Sequence, residues 1–344
     1  RRSGAGVLPS RAQVLMEVDP RRDVARAARF AMLGVAGYIA PRHLEAIRAT
    51  GNTLVSACDP RDSVGVLDRS GLAVDFTTDE GEFERRLAAR NRGPAAERID
   101  VVSICSPNFV HVDHCRLALA CGADAICEKP LATEPRALDA LAKDERTSGR
   151  RVYTVLQLRC HEQLAALRER IARGPARKHQ VDLTYVTARG PWYHVSWKGD
   201  AARSGGIATN IGIHLFDLLL WLFGGVERER VHLSTPTRMA GALELQRADV
   251  RWFLSVDPQD IPVDVRAAGR TTHRSIIVDG SALDFSEGFS ELHTRVYQSI
   301  LAGAGLGLED ARPSIELTAR LRALNISPID AEAHPLLLRD RGGG

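Results

Sequence analysis

The strongest constraint on the fold of this chain is an alternation in its first half, where short runs apolar at nearly every position are separated by helical patterns. Phe30 to Val35 is one such run, Pro41 to Thr50 has helical periodicity, and Thr53 to Cys58 is a second apolar run. Ile99 to Cys105 follows, then a helical stretch from Val110 to Cys121 and a buried strand from Ala123 to Cys127. A helix over Pro135–Ser148 and a strand over Val152–Leu158 close the series. Strands apolar on both faces must be covered on both faces, so this half predicts an α/β, doubly wound parallel sheet.

Beyond residue 151 the pattern changes. Asp182 to Thr187 alternates with a period of two, and Val231–Leu233, Arg251–Val256, Val263–Ala267 and Ser275–Val278 follow as short segments between turns rich in Gly, Pro and Asp. Such segments predict an open, mainly antiparallel sheet in a C-terminal α+β domain. The domains expected are 29–151 for a cofactor and 152–328 for substrate and oligomer contacts. Residues 1–28 read as a disordered extension and 329–344 as a tail without periodicity.

At 344 residues and 44% hydrophobic composition the chain can bury two cores. No run of eighteen uninterrupted apolar residues occurs, the longest candidate being Leu215 to Phe223, so a soluble protein with no membrane partner is expected. The net charge of +3 is dispersed, which gives no basic stripe for a nucleic acid. Cysteines 58, 105, 115, 121, 127 and 160 have no C-x-x-C spacing, so they predict no metal site and suit the reducing cytoplasm.

After the first strand comes Gly34-Val35-Ala36-Gly37-Tyr38-Ile39-Ala40, a glycine-rich turn that opens a helix. Such a turn lets backbone approach a pyrophosphate held at the helix N-terminus. One additional residue separates Gly34 from Gly37, so the spacing departs from G-x-G-x-x-G. Asp59, ending the second strand, stands where a carboxylate would meet the adenosine ribose; it favours NAD, while Arg61 keeps NADP open. Ser106 and Asn108 flank Pro107 at the carboxyl edge of the next strand, available to phosphate or ribose. Together with Gly34, Ala36, Gly37, Tyr38, Ile39, His111 and Glu128 they make the expected cofactor set.

Glu128-Lys129-Pro130 follows a buried strand on the same edge. The chain has only four lysines, so one at the mouth of an apolar sheet stands out. Near a nicotinamide, Lys129 could hold the charge that develops on a substrate oxygen; as a surface residue it would only cap a turn. A second cluster runs from Ser204-Gly205-Gly206 to Asp217, with Asn210 and His214 four apart on one helical face. His214 suits a general base, although a histidine on an apolar helix is more often a satisfied core residue. Gln157, Arg159 and His161 alternate along a strand, and an inward arginine there suits an anionic ligand or an interdomain ion pair. Trp192-Tyr193 and Trp197-Lys198 could stack on a ring and neutralise an anion.

Taken together, the glycine-rich turn, Ser106-Pro107-Asn108, Glu128-Lys129-Pro130 and the glycine-led helix reaching His214 resemble the Gfo/Idh/MocA oxidoreductases, over residues 29 to 328. Within that family Gln157-Leu158-Arg159 and the stretch from Arg189 to His214 look like the UDP-N-acetylglucosaminuronate dehydrogenases. The resemblance implies a Rossmann domain, NAD, and oxidation of a C3 hydroxyl to a 3-keto sugar in cell-surface polysaccharide (lipopolysaccharide O-antigen) synthesis. It implies Lys129, His214 and Asn210 as catalytic, Asn210 standing where the wider family has aspartate. Gln157, Arg159, Tyr193, Trp197, Lys198 and Asn210 would then contact substrate. It also implies 2-oxoglutarate as a possible reoxidant and a homotetramer. Two other readings stay open: a dehydrogenase of an uncharged sugar or inositol, and a non-catalytic NAD or sugar sensor.

Overall fold

The computed structural model describes residues 26–62, 64–69, 73–283 and 291–342. In the first half β1 (Arg29–Leu33), α1 (Ala40–Ala49), β2 (Thr53–Cys58), α2 (Val64–Arg69), β3 (Asp75–Thr77) and α3 (Glu80–Arg92) alternate. They are followed by β4 (Val101–Ile104), α4 (His111–Ala120), β5 (Asp124–Cys127), α5 (Arg136–Ser148) and β6 (Val152–Thr154). The six strands form one parallel sheet in the order β3-β2-β1-β4-β5-β6. Every residue of β4 and β5 is buried, as continuous apolar runs require when helices cover both faces.

The second half contains α6 (Glu162–Arg173), β7 (His179–Thr187), the short α7 (Trp192–Val195) and α8 (Ala201–Ser204), and α9 (Ile213–Phe223). The strands β8 (Val226–Ser234), β9 (Arg238–Leu245) and β10 (Ala248–Ser255) follow, then α10 (Val263–Ala267), β11 (Thr272–Val278) and β12 (Ser281–Ala282). The second sheet has the order β12-β11-β7-β10-β9-β8; among the described residues only its neighbours β7 and β10 pair in parallel, the other neighbours antiparallel. The α/β first half and the mainly antiparallel second half are therefore both present. The stretch Ala201–Phe223 is apolar and long enough to cross a membrane, yet 78% of its most apolar window is buried in the fold.

Three local expectations give way. The strand expected over 152–158 stops at Thr154, and Gln157–Cys160 forms a 3₁₀ turn. Val263–Ala267 is a helix, because Pro262 precedes it and V-D-V-R-A fits one helical turn as well as a strand. The tail is ordered in part: α13 (Pro335–Gly342) follows, with Ala333, His334 and Leu337 buried against the second sheet. The expectation of a disordered extension falls, for residues 1–25, outside the described residues.

The chain also returns to its first half. The helices α11 (Leu292–Leu301) and α12 (Leu308–Ala323) bring Val296, Tyr297 and Ile300 into the core beside α1, and Leu308, Ala311 and Ile315 into the core beneath α5 and β6. The cofactor half is thus completed by residues far beyond 151.

Candidate active site

The glycine-rich turn is built to bring backbone close. Gly34 has φ +83°, and a Cβ there would lie 2.6 Å from the amide nitrogen of Ser106. A Cβ on Gly37 would lie 2.9 Å from the Cys105 carbonyl oxygen. The turn's own hydrogen bonds, Gly37 N–H to Gly34 O (2.9 Å) and Ala40 N–H to Gly37 O (3.1 Å), leave out the N–H groups of Tyr38 and Ile39 at the mouth of α1. A pyrophosphate fits such a cradle. Asp59 lies against it: one carboxylate oxygen accepts from Ala36 N–H at 2.9 Å and the other from Arg61 N–H at 3.0 Å.

The carboxyl edges of β4 and β5 carry the next residues. The Ser106 hydroxyl is 2.8 Å from His114 Nδ1. Asn108 is buried and donates from Nδ2 to the Ser204 carbonyl (2.9 Å) and to Asn210 Oδ1 (3.3 Å), joining the two halves. His111 was expected at the cofactor, but both of its ring nitrogens face carbonyls, Pro130 O at 2.7 Å and Ser106 O at 2.8 Å. It braces two turns and has no atom left for a dinucleotide. The Glu128 side chain is likewise taken, by His43 and His293 at 3.0 Å each and by the N–H of Lys129 at 3.1 Å. The bond between Lys129 and Pro130 is cis.

Lys129 reaches across the boundary between the halves to the segment that carries His214. The Lys129 ammonium is 3.4 Å from the Asn210 carbonyl, one turn before His214. Residues Ala208–Gly212 form a π-turn ahead of α9, a local widening that recurs at functional sites. Burial lowers the Lys129 pKa, and the Glu128 carboxylate opposes that. His214 is held well below the usual imidazole value, by burial first and then by the Lys129 charge, so it is neutral and able to accept a proton. Its Nε2 is 3.3 Å from the Gln157 amide nitrogen, and Asn210 Nδ2 is 3.3 Å from the hydroxyl of buried Tyr193.

Arg159 does not join them. Its guanidinium is taken by Asp217, through hydrogen bonds of 3.0 and 2.6 Å, and by the Asp310 carbonyl at 3.0 Å. The 3₁₀ turn removes the strand alternation that was to aim Arg159 beside Gln157. The ion-pair alternative, not the substrate anion, describes this residue.

Positive charge is supplied elsewhere. Lys198 lies over the Trp197 ring, 4.5 Å from its centroid, and 5.7 Å from that of Trp192. Its pKa is lowered by burial and by the charges of Arg189, Arg61 and Lys129. Trp197 packs edge-on to Phe109, which follows Asn108, so the aromatic stretch closes onto the cofactor edge. Arg189 escaped the sequence reading as a site residue, although it opens that aromatic stretch. His43, His293 and Tyr297 escaped it too, since nothing local marks residues on helices so distant in the chain. His43, Glu128 and His293 place three donor atoms within 4.8 Å, a set a metal could use, but each imidazole Nε2 already has a hydrogen bond to the same carboxylate oxygen.

Comparison with known proteins bears on this arrangement. An oxidoreductase-family model described as an NAD-binding Rossmann fold matches residues 28–156, and its companion C-terminal alpha/beta domain matches 169–252. The WlbA (WbpB) dehydrogenase from Thermus thermophilus, solved with NAD and alpha-ketoglutarate and also with NAD and UDP-GlcNAcA, is 50% identical. It superposes with a TM-score of 0.85 over 90% of this chain and 99% of that one. Bordetella pertussis WlbA, 20% identical over 89% of this chain and 99% of its own, shares the fold with a TM-score of 0.70. Among curated proteins, D-glucoside 3-dehydrogenase of Escherichia coli is 28% identical over 57% of this chain and 54% of its own length. Inositol 2-dehydrogenase of Rhizobium meliloti is 28% identical over 57% and 55%. The match spans about half the length of these curated relatives. With both halves of the family's architecture matched and half of the aligned residues shared with one member over nine-tenths of this chain, the chain belongs to the Gfo/Idh/MocA family of NAD-binding oxidoreductases.

Proposed function

We propose that this protein is an NAD-dependent dehydrogenase that oxidises the C3 hydroxyl of UDP-N-acetylglucosaminuronic acid to the 3-keto sugar, for cell-surface polysaccharide (lipopolysaccharide O-antigen) synthesis. The observation that carries this reading is the 50% identity, over 90% of the chain, to a WlbA dehydrogenase solved with NAD and UDP-GlcNAcA. The site is consistent with it chemically. Gly34, Gly37 and the amides of Tyr38 and Ile39 would hold the pyrophosphate of NAD, with Asp59 toward its ribose. When bound, NAD supplies the acceptor for the hydride leaving C3.

The remaining steps belong to side chains. Neutral His214 takes the hydroxyl proton, and the Lys129 ammonium stabilises the oxygen as it gains charge. Asn210, held between Asn108 and Tyr193, orients the sugar. The charge of Lys198, Arg189 and Arg61 favours an anionic substrate, and the aromatic stretch is a platform for a ring. Reoxidation by 2-oxoglutarate, a homotetramer and a cytoplasmic location complete the proposal; six free thiols, five of them buried, suit the last.

The experiment is direct. Purified protein with NAD and UDP-N-acetylglucosaminuronate yields NADH absorbance, or 2-hydroxyglutarate when 2-oxoglutarate is added. Silence in both assays rejects the reading. The similarity to D-glucoside and inositol dehydrogenases favours a second reading, an uncharged sugar or inositol as substrate, which the same assay with those compounds decides.

A further inference from the structure

The polar groups next to Lys129 form one buried chain. Oε1 of Glu128 lies 3.0 Å from Nε2 of His43 and 3.0 Å from Nε2 of His293, while Oε2 accepts the backbone N–H of Lys129 at 3.1 Å. Nδ1 of His43 is 2.7 Å from the Tyr297 hydroxyl, itself 2.7 Å from Ser103 Oγ. All five side chains are buried, and four elements contribute: α1, β4, the end of β5, and α11.

The direction of each proton follows from the chemistry. A carboxylate only accepts, so both imidazoles donate from Nε2. Burial lowers the His43 pKa, which leaves that ring neutral with Nδ1 as an acceptor. Tyr297 then donates to His43 and accepts from Ser103. Burial alone would favour protonated Glu128; the hydrogen bonds from His293 and His43 outweigh it and hold the carboxyl well below its usual range. The groups that bear on Lys129 are therefore Glu128 and Tyr185, which support its charge, and Arg189, which opposes it. Lys198 and His214 also lie within its field.

We propose that His43 and His293 are positioning residues for Lys129: by clamping Glu128 as a carboxylate they fix the turn that carries Lys129 and sustain the charge of its ammonium. This rests on the reading of Lys129 as the group that meets the substrate oxygen. Because His43 sits on the helix opened by the glycine-rich turn, the clamp also ties the cofactor cradle to that lysine.

With four lysines in the chain, [ε-13C]lysine labelling gives few side-chain signals, and that of Lys129 is identified by its loss in Lys129→Arg. The comparison is wild type, His293→Gln and His293→Asn in the full-length protein. Glutamine places an amide N–H near the position of Nε2 and keeps the bond to Glu128; asparagine is too short. In His293→Asn the Glu128 carboxylate keeps its charge but loses one of its two anchors, and as it moves off the turn the Lys129 titration midpoint falls. The basic limb of the kcat profile moves down with it, kcat falls about tenfold, and KM for NAD holds. His293→Gln behaves as wild type on each readout.

An unchanged Lys129 midpoint in His293→Asn overturns the proposal. So does a stoichiometric divalent ion that copurifies with wild type and is lost in His293→Asn, which would make the trio metal ligands. If the asparagine variant does not fold, His43→Asn, which drops the other bond to Glu128, decides between the same outcomes: the midpoint falls, or the clamp is rejected. Turnover of the UDP-sugar tests the catalytic reading separately, and the midpoints judge the clamp whichever sugar is oxidised.

Discussion

Arg159 grips Asp217 with two hydrogen bonds, Nε to Oδ2 at 3.0 Å and Nη2 to Oδ1 at 2.6 Å, at a point where the aspartate is 2% exposed. Burial raises the Asp217 pKa and the arginine opposes it, so removing the arginine strands a buried carboxylate on the helix that carries His214. Arg159→Ala should cost on the order of 3–5 kcal/mol of unfolding free energy. Chemical denaturation measures this. A fully stable variant that loses only carboxylated substrates would return Arg159 to the substrate site.

Lys129→Met should lower kcat by about 10²–10⁴ while leaving NAD affinity near wild type. Its thermal midpoint should not fall, because a half-buried ammonium gives way to an apolar chain of similar length. Steady-state kinetics with a fluorescence titration of NAD separates the two effects. Turnover within a factor of three of wild type would remove Lys129 from the chemistry.

The acid limb of kcat/KM should lie below about pH 6.5, the ordinary imidazole value, because His214 stays neutral further into acid. The sign for stability is the same: the contribution of His214 is present above the unfolded-state value and is lost as pH falls through its lower folded value. A pH–rate profile tests the first, and a limb at or above that pH would argue against His214 as the base.

Lys198→Ala should raise KM for a UDP-sugar acid about tenfold, the weight of one charge-assisted hydrogen bond, with little change in kcat. The effect should shrink as salt is added, since Lys198 is only half-buried. Comparing charged and uncharged sugars locates the interaction: an equal loss for both would mean that Lys198 holds the tryptophans in place and does not meet the anion.

Gly34→Ala should impair folding and NAD binding together. The residue lies at φ +83°, and the added Cβ would press on backbone, not on a side chain that could move aside. Thermal denaturation with and without NAD reads both; a variant as stable as wild type would mean that the turn can relax.

Much of the first half was legible because burial on both faces leaves an unbroken apolar run, as in β4 and β5. Where burial is uniform the run cannot say where a strand ends: Val155 and Leu156 are as buried as β6, yet the backbone has already turned. The strand β9 went unread because its centre, Met239-Ala240-Gly241-Ala242, has no β-branched residue; Gly241 is required there, since a Cβ would meet the Arg230 carbonyl. Lys129, Asn210 and His214 were visible through local spacing. His293 was not, because its importance lies in a contact with Glu128 across 165 positions.

The return of α11 and α12 has a consequence for how the protein is made. Residues 28–156 emerge before α11 and α12, and until then they lack the helices that cover α1 and β6 and the tyrosine that hydrogen-bonds His43. At about 5–20 residues per second, roughly ten seconds or more separate the synthesis of the glycine-rich cradle from that of its last supporting helix. During that interval the nascent first half holds open apolar faces, so a ribosome-bound chaperone, or a pause in translation, would act on this protein while the stretch between residue 156 and α12 is being made.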